Sequence, residues 1–228
     1  MKIAAPSFAI LFMPDGAGLL ANLELAGRTC YKSEDRITPD SAADFVRRIL
    51  ASGHHSVIEH ASATVRFVCD RGVTHELVRH RLAAYSQEST RYANYGQDKF
   101  GNEITVIRPL FWRPGSREYA RWHDAMLAAE SAYLELLAMG ARPQEARSVL
   151  PNSLKTEIVM TANLRQWRHV LGLRCARPAH PQIREIMLPL LAEFHGRLPV
   201  VFEDLAQKFA ADIAEMARLT AEWDAGAS

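Results

Sequence analysis

The sequence predicts a mixed α/β fold, a single domain over residues 1–228 with a central sheet flanked by helices. Three observations predict it. Apolar and polar residues alternate over 61–69, and a second strand-like run follows at 155–163. Around these runs, apolar residues recur at helical spacing over long stretches. No repeat, linker or low-complexity segment divides the 228 residues, a length that suits one domain with a sizeable core.

The first element is a strand over 2–12. Its lysine and apolar run also resemble a short secretory leader, but Pro6 interrupts the run and no small-residue cleavage site follows, so a buried first strand is expected. Helices are expected over 17–31 and 39–52, the second with Thr38 as N-cap and Pro39 in its first turn. In the strand over 61–69, Ala61, Ala63, Val65, Phe67 and Cys69 alternate with Ser62, Thr64 and Arg66. A helix over 72–83 would turn Val73, Leu77, Val78 and Leu82 inward. A strand at 103–109 follows, then a long helix over 115–139 that stops at Gly140, a short one at 143–149, and the strand at 155–163. Helices over 165–172, 181–196 and 199–219 complete the chain, with residues 221–228 beyond the last ordered element.

Charge is balanced, with 27 Lys+Arg against 26 Asp+Glu, so nothing attracts nucleic acid or anionic membranes in general. No apolar stretch approaches the ~20 residues needed to span a bilayer. Cys30, Cys69 and Cys175 are odd in number, widely spaced and form no CxxC pair. That argues against a disulfide framework or structural zinc and fits a reducing cytoplasm.

Within this balance, "RHRLAAYSQESTRY" (79–92) concentrates cations and hydroxyls. On a helix over 72–83, Arg79, His80 and Arg81 would fan out by about 100° each, which suits an extended ligand or two ligands meeting there. The following loop, Ser86 to Arg91, could cradle a phosphate, with charged hydrogen bonds contributing roughly 1.5–3 kcal/mol each. A solvated basic face is the alternative, and composition alone leaves both open. The tyrosines Tyr85, Tyr92 and Tyr95 could serve an RNA-binding module, although the overall charge counts against it. A metal-dependent hydrolase is a further alternative. His75 and His80 stand five apart, about 140° around a helix, and cannot share an ion. His54, His55, Glu59 and His60 could place a His and a Glu on one face. No metal is expected.

Four blocks then narrow the reading. Arg79-His80-Arg81, seven residues and Ser89, together with "GHHSVIEH" (53–60), "EARSVLP" (145–151) and "TANLRQWRHVLGLR" (161–174), resemble in content and order the signature segments of the flavin-dependent thymidylate synthases. The resemblance implies conversion of dUMP to dTMP without a protein nucleophile. The one-carbon donor would be 5,10-methylenetetrahydrofolate, and NADPH the reductant through FAD. It implies a cytoplasmic homotetramer with shared active sites and no nucleic-acid or membrane partner. Flavin-dependent C5 modification of another pyrimidine nucleotide is a nearby alternative.

By the same resemblance, Ser56, Arg79, His80, Arg81, Gln87, Asn163, Leu164, Arg165, His169 and His180 hold FAD. Glu76, Leu77, Val78, Arg79, Gln87, Glu88, Ser89, Thr90, Arg91, Arg147 and Arg174 hold dUMP, with Arg147 reaching its phosphate from a neighbouring subunit. Arg174 is the catalytic residue. A guanidinium stays protonated, so its role would be to stabilise a uracil anion and push electron density toward C5. Glu76 stands where several relatives carry Gln, Gln87 where some carry Glu, and His169 where Asn is frequent. Cys175 sits in no nucleophile motif.

Overall fold

The computed structural model describes residues 1–14 and 16–226. Its strands are β1 (Lys2–Ala4), β2 (Ser7–Phe12), β3 (Ser62–Asp70), β4 (Ala84–Gln87), β5 (Thr105–Ile107) and β6 (Lys155–Asn163). An antiparallel sheet runs in the order β2-β3-β6-β4, while β1 pairs with β5 in parallel. The strand expected over 2–12 is therefore two. Pro6 has no N–H for a ladder bond, and the chain changes sheets there. The strand is also less buried than expected, since β2 lies at a sheet edge with Leu11 and Phe12 more than half exposed.

The centre of the sheet follows directly from the alternation. β3 and β6 pair along their whole lengths, Ser62 opposite Asn163 and Asp70 opposite Lys155. Ala63, Val65, Phe67 and Cys69 face the core beside Thr156, Ile158, Met160 and Ala162, all buried. On the other face Thr64 and Thr161 join hydroxyls at 2.9 Å.

The helices are α1 (Gly16–Thr29), α2 (Ser41–Ala51), α3 (Arg71–Leu77), α4 (Arg117–Ala138), α5 (Pro143–Ala146), α6 (Leu164–Arg174), α7 (Pro181–Arg197), α8 (Pro199–Lys208) and α9 (Ala210–Gly226). Trp167, Phe194 and Phe202 bring α6, α7 and α8 onto the sheet, and the Trp167 indole donates to the Ala63 carbonyl at 3.0 Å. Each such buried side chain contributes about 1.5–3 kcal/mol, more than a typical hydrogen bond at about 1 kcal/mol, so this stack sets the stability of the scaffold.

Several boundaries differ from expectation. Asp40, not Thr38, is the N-cap of α2, and the Thr38 N–H donates to Ser41 Oγ. The helix expected over 143–149 relaxes to a 3-10 turn, Arg147–Val149. The one over 199–219 breaks at the buried Phe209 into α8 and α9. Residues 221–226 are helical rather than beyond the last element, because Trp223 is buried: its indole donates to the Trp112 carbonyl and Arg108 lies over its ring. Ala227 and Ser228 lie outside the described residues. No helix among the described residues is long and apolar enough to cross a membrane.

Candidate active site

Two helices leave the central strand pair from opposite ends and converge. After β3, Asp70 accepts the Val73 N–H at 2.7 Å and starts α3. After β6, Asn163 accepts the Gln166 N–H at 2.9 Å and starts α6. A helix of this length reaches back over about 16 Å, which carries the last residue of α6 toward the end of the sheet where α3 begins. Arg174 thereby meets Glu76.

The guanidinium of Arg174 is held on three sides. Its Nη1 donates to Glu76 Oε2 at 2.6 Å, its Nη2 to the Glu76 carbonyl at 3.1 Å, and its Nε to His80 Nε2 at 2.9 Å. Since Nε2 of His80 accepts, that nitrogen is unprotonated and the ring is neutral. Burial, and then the charge of Arg174 and His169, pushes the imidazole down to about 4. The rings of His80 and His169 meet edge to face, centroids 5.8 Å apart.

The expected helix over 72–83 ends at Leu77, and this changes the geometry of the basic triplet. The Tyr85 hydroxyl lies 2.6 Å from the Leu77 carbonyl and 2.9 Å from that of His80, so one O–H serves two carbonyls of the turn. Burial raises this phenol to about 12, keeping it a donor. Arg79, His80 and Arg81 therefore do not fan around a helix. The turn sends His80 inward and leaves Arg79 and Arg81 exposed; Val78 and Leu82, expected inward, are also exposed. In the sequence Tyr85 reads only as a stacking surface; its part in closing this turn was missed, because no periodic pattern links a strand's second residue to the turn before it.

A second cluster forms around Ser89. The N–H of Arg91 donates to Ser89 Oγ at 3.3 Å, and Arg147 Nη1 to Thr90 Oγ1 at 3.4 Å. Within its own chain Arg147 thus touches this loop at Thr90. Arg79, Arg81, Arg91 and Arg147 form no ion pair among the described residues, so their charge is available to a ligand.

Other candidates are placed differently. Gln87 turns its amide to Thr74 and Thr156, and Glu88 accepts from Tyr95 and Lys155. Leu77 and Leu164 have fully buried side chains. Ser56 is exposed on the 3-10 turn His55–His60, whose Glu59 pairs with Arg165 at 2.6 Å. Glu59, Leu82, Asn163, Arg165, Gln166 and His169 line a cleft of about 670 Å³. Leu82 is exposed in that cleft, and Arg79 and Arg81, which form no ion pair among the described residues, stand near it in the chain. His180 is separate: its Nδ1 caps α7 through the Gln182 N–H at 3.3 Å, and its ring meets Phe111 edge-on. It makes no hydrogen bond or ring contact with His80, His169 or Arg174 among the described residues.

The buried thiol of Cys175 is pushed up to about 12, so it offers no thiolate. No cluster of His, Cys, Asp and Glu suited to a metal ion occurs among the described residues.

A family model described as thymidylate synthase complementing protein matches residues 17–200. The chain belongs to the flavin-dependent thymidylate synthase family. A member from Corynebacterium efficiens is 36% identical over 226 residues, covering 93% of this chain and 90% of that protein. One from Mycobacterium sp. (strain JLS) is 37% identical over 225 residues, covering 89% and 86%. Among solved structures, the UMP/dUMP methylase PolB from Streptomyces cacaoi, bound with 5-Br dUMP, shares the fold. Its TM-score is 0.73 at 24% identity, covering 92% of this chain and 97% of that one. The family's matched region takes in both clusters, from Glu76 to Arg174.

Proposed function

We propose that this chain is a flavin-dependent thymidylate synthase that converts dUMP to dTMP, with 5,10-methylenetetrahydrofolate as one-carbon donor and NADPH as reductant. The observation that carries the reading is Arg174, a permanently charged donor held by Glu76 and His80 at the end of α6. Ser89, Thr90, Arg91 and Arg147 would bind the nucleotide phosphate. Arg174 would then face the uracil ring, and its fixed charge would stabilise the anion whose electron density makes C5 nucleophilic. No cysteine is required for this, in keeping with the raised thiol of Cys175.

FAD would lie along the cleft bounded by Leu82, Asn163, Arg165 and His169, with Arg79 and Arg81 toward its phosphates. When bound it would supply the hydride that completes the methyl group. The chain's contribution is to orient both rings, with Leu82 of the turn lining the flavin cleft and His80 of the same turn held to Arg174. We further propose a cytoplasmic homotetramer of one 228-residue domain per chain, with sites shared between chains. Val78, Leu82 and Tyr92 support it, being large apolar side chains exposed next in the chain to the unpaired Arg79, Arg81 and Arg91.

The test is an anaerobic assay of the purified protein, omitting dUMP, methylenetetrahydrofolate, FAD and NADPH in turn, with UMP as a competing acceptor. Formation of dTMP only in the complete mixture supports the reading. Methylation of UMP in preference to dUMP transfers it to another pyrimidine nucleotide, and turnover without flavin overturns it.

A further inference from the structure

We infer that the cleft between β2, α7 and α9 is a binding site for a small organic cation, an amidinium or ammonium group carried on a flat apolar body. None of the residues lining it is among those assigned above to flavin or nucleotide, and the inference stands independently of that reading.

The cleft has a volume of about 770 Å³, ample for an aromatic ring with its polar group. Phe8 of β2, Ile186 and Pro189 of α7, and Ile213 and Met216 of α9 form its apolar walls. Its charged groups are all carboxylates, those of Glu185, Glu193 and Asp224, with no lysine, arginine or histidine among the described residues lining it. Glu185 is the decisive one. Its side chain is only 3% exposed, yet it lines the cleft, and its Oε2 has no hydrogen-bond partner among the described residues. Pro189, four residues on in α7, has no N–H to give the Glu185 carbonyl, so that helix bond is missing as well. A buried acceptor left without a donor is unfavourable, and a ligand that donates to it removes the penalty.

Charge favours a cation over a neutral donor. Arg108, which follows β5, places Nη1 2.8 Å from Glu185 Oε1 and Nη2 3.7 Å from Asp224, with its guanidinium over the Trp223 ring. It is not among the residues lining the cleft. Glu193, two turns along α7, pairs with Arg197. Two arginines thus face three carboxylates, and Asp70 at the end of β3, which also acts on Glu185, adds to the negative sign. Burial, opposed by Arg108, pushes the Glu185 carboxyl up to about 7. Near neutrality it is partly protonated, and a bound cation draws it to the ionised form.

The probes are benzamidinium, benzamide and benzoate, which share a shape and differ in charge. Their dissociation constants are measured by calorimetry on the full-length protein, with FAD and dUMP in excess to fill any sites those molecules occupy. Benzamidinium should bind about tenfold or more tightly than benzamide, the scale of one charged hydrogen bond, and benzoate should not bind. Its affinity should rise about tenfold between about pH 6 and 8, following the ionised fraction of Glu185. Glu185→Gln should remove both the preference and the pH dependence. Should that buried variant fail to fold, Ala217→Phe decides. Ala217 is an exposed residue of α9 that lines the cleft, so the larger side chain should block benzamidinium while leaving melting temperature and dTMP formation unchanged. Equal binding of benzamidinium and benzamide, an affinity that does not rise with pH, or unaltered binding in Ala217→Phe overturns the inference. So does the absence of saturable binding to wild type, which would be the result if a neighbouring chain covers the cleft. Failure to form dTMP overturns the proposed function instead and leaves this inference standing.

Discussion

The cations of this molecule fall into two groups that behave differently. Arg174 is held in place within its own chain by Glu76 and His80. Arg79, Arg81, Arg91 and Arg147 form no ion pair among the described residues, and all four are exposed. A charge that must act on a reacting ring gains from being fixed before the ring arrives, because no reorganisation is then needed in the transition state. A charge that only anchors a phosphate can remain mobile and be ordered by the ligand. The difference separates residues expected to govern turnover from those expected to govern affinity.

The strongest way to break that comparison is Arg174→Ala. Loss of a preorganised donor costs on the order of 10²–10³ in kcat, and flavin should stay bound because Arg174 lies outside the Leu82–His169 cleft. Retained turnover would remove Arg174 from the chemistry. Next in size, Arg147→Ala should raise the dissociation constant for dUMP about tenfold, the scale of one charged hydrogen bond, with kcat nearly unchanged. It should also make binding less sensitive to salt. A fall in kcat with unchanged affinity would put Arg147 in the wrong group.

The two groups were not equally legible in the sequence. The strands that carry them were, because β3 alternates apolar and polar residues and β6 is a strand-like run rich in β-branched residues. The residue types of the basic run were legible too, and the family resemblance named Arg174. What was not legible is how the run folds. Leu77 follows Val73, and Leu82 follows Val78, at a spacing of four, so periodicity extended α3 through residue 83. The actual end is set by tertiary contacts, the Tyr85 hydroxyl on two carbonyls and the pairing of β4 with β6. The exposure of Val78 and Leu82 belongs to a surface awaiting a ligand or another chain, and no pattern within one sequence distinguishes that from a core stripe. Likewise the intrachain partners of Gln87 and Glu88, which are Thr74, Thr156, Tyr95 and Lys155, come from pairings between distant segments that no local pattern announces.

Acid should weaken the fixed group before the mobile one. His80 is depressed from 6.5 to about 4 in the folded protein. A depressed group contributes stability that is present above its unfolded value and lost as pH falls toward the folded one. The melting temperature should therefore decline between pH 6.5 and about 4, and protonated His80 can no longer accept from Arg174. His80→Gln, which keeps an acceptor without titrating, should flatten the decline. An equal decline in both proteins would show that other groups cause it.

The smallest effect expected is that of Tyr85→Phe, and it probes how the fixed group stays fixed. The substitution keeps the ring and its packing but leaves the Leu77 and His80 carbonyls without their shared donor. The turn is partly open to water, so the loss should be about 1 kcal/mol of stability, the net worth of one hydrogen bond. Turnover should fall by more than that loss of folded protein explains, since the His80 backbone sets the imidazole against Arg174. Affinity for the nucleotide should not change, because Ser89, Thr90, Arg91 and Arg147 lie on the far side of β4 in the chain and are held by other contacts. If affinity falls instead while kcat holds, the turn at 77–80 belongs with the ligand-ordered cations, and the line between the two groups must be redrawn at Arg174 itself.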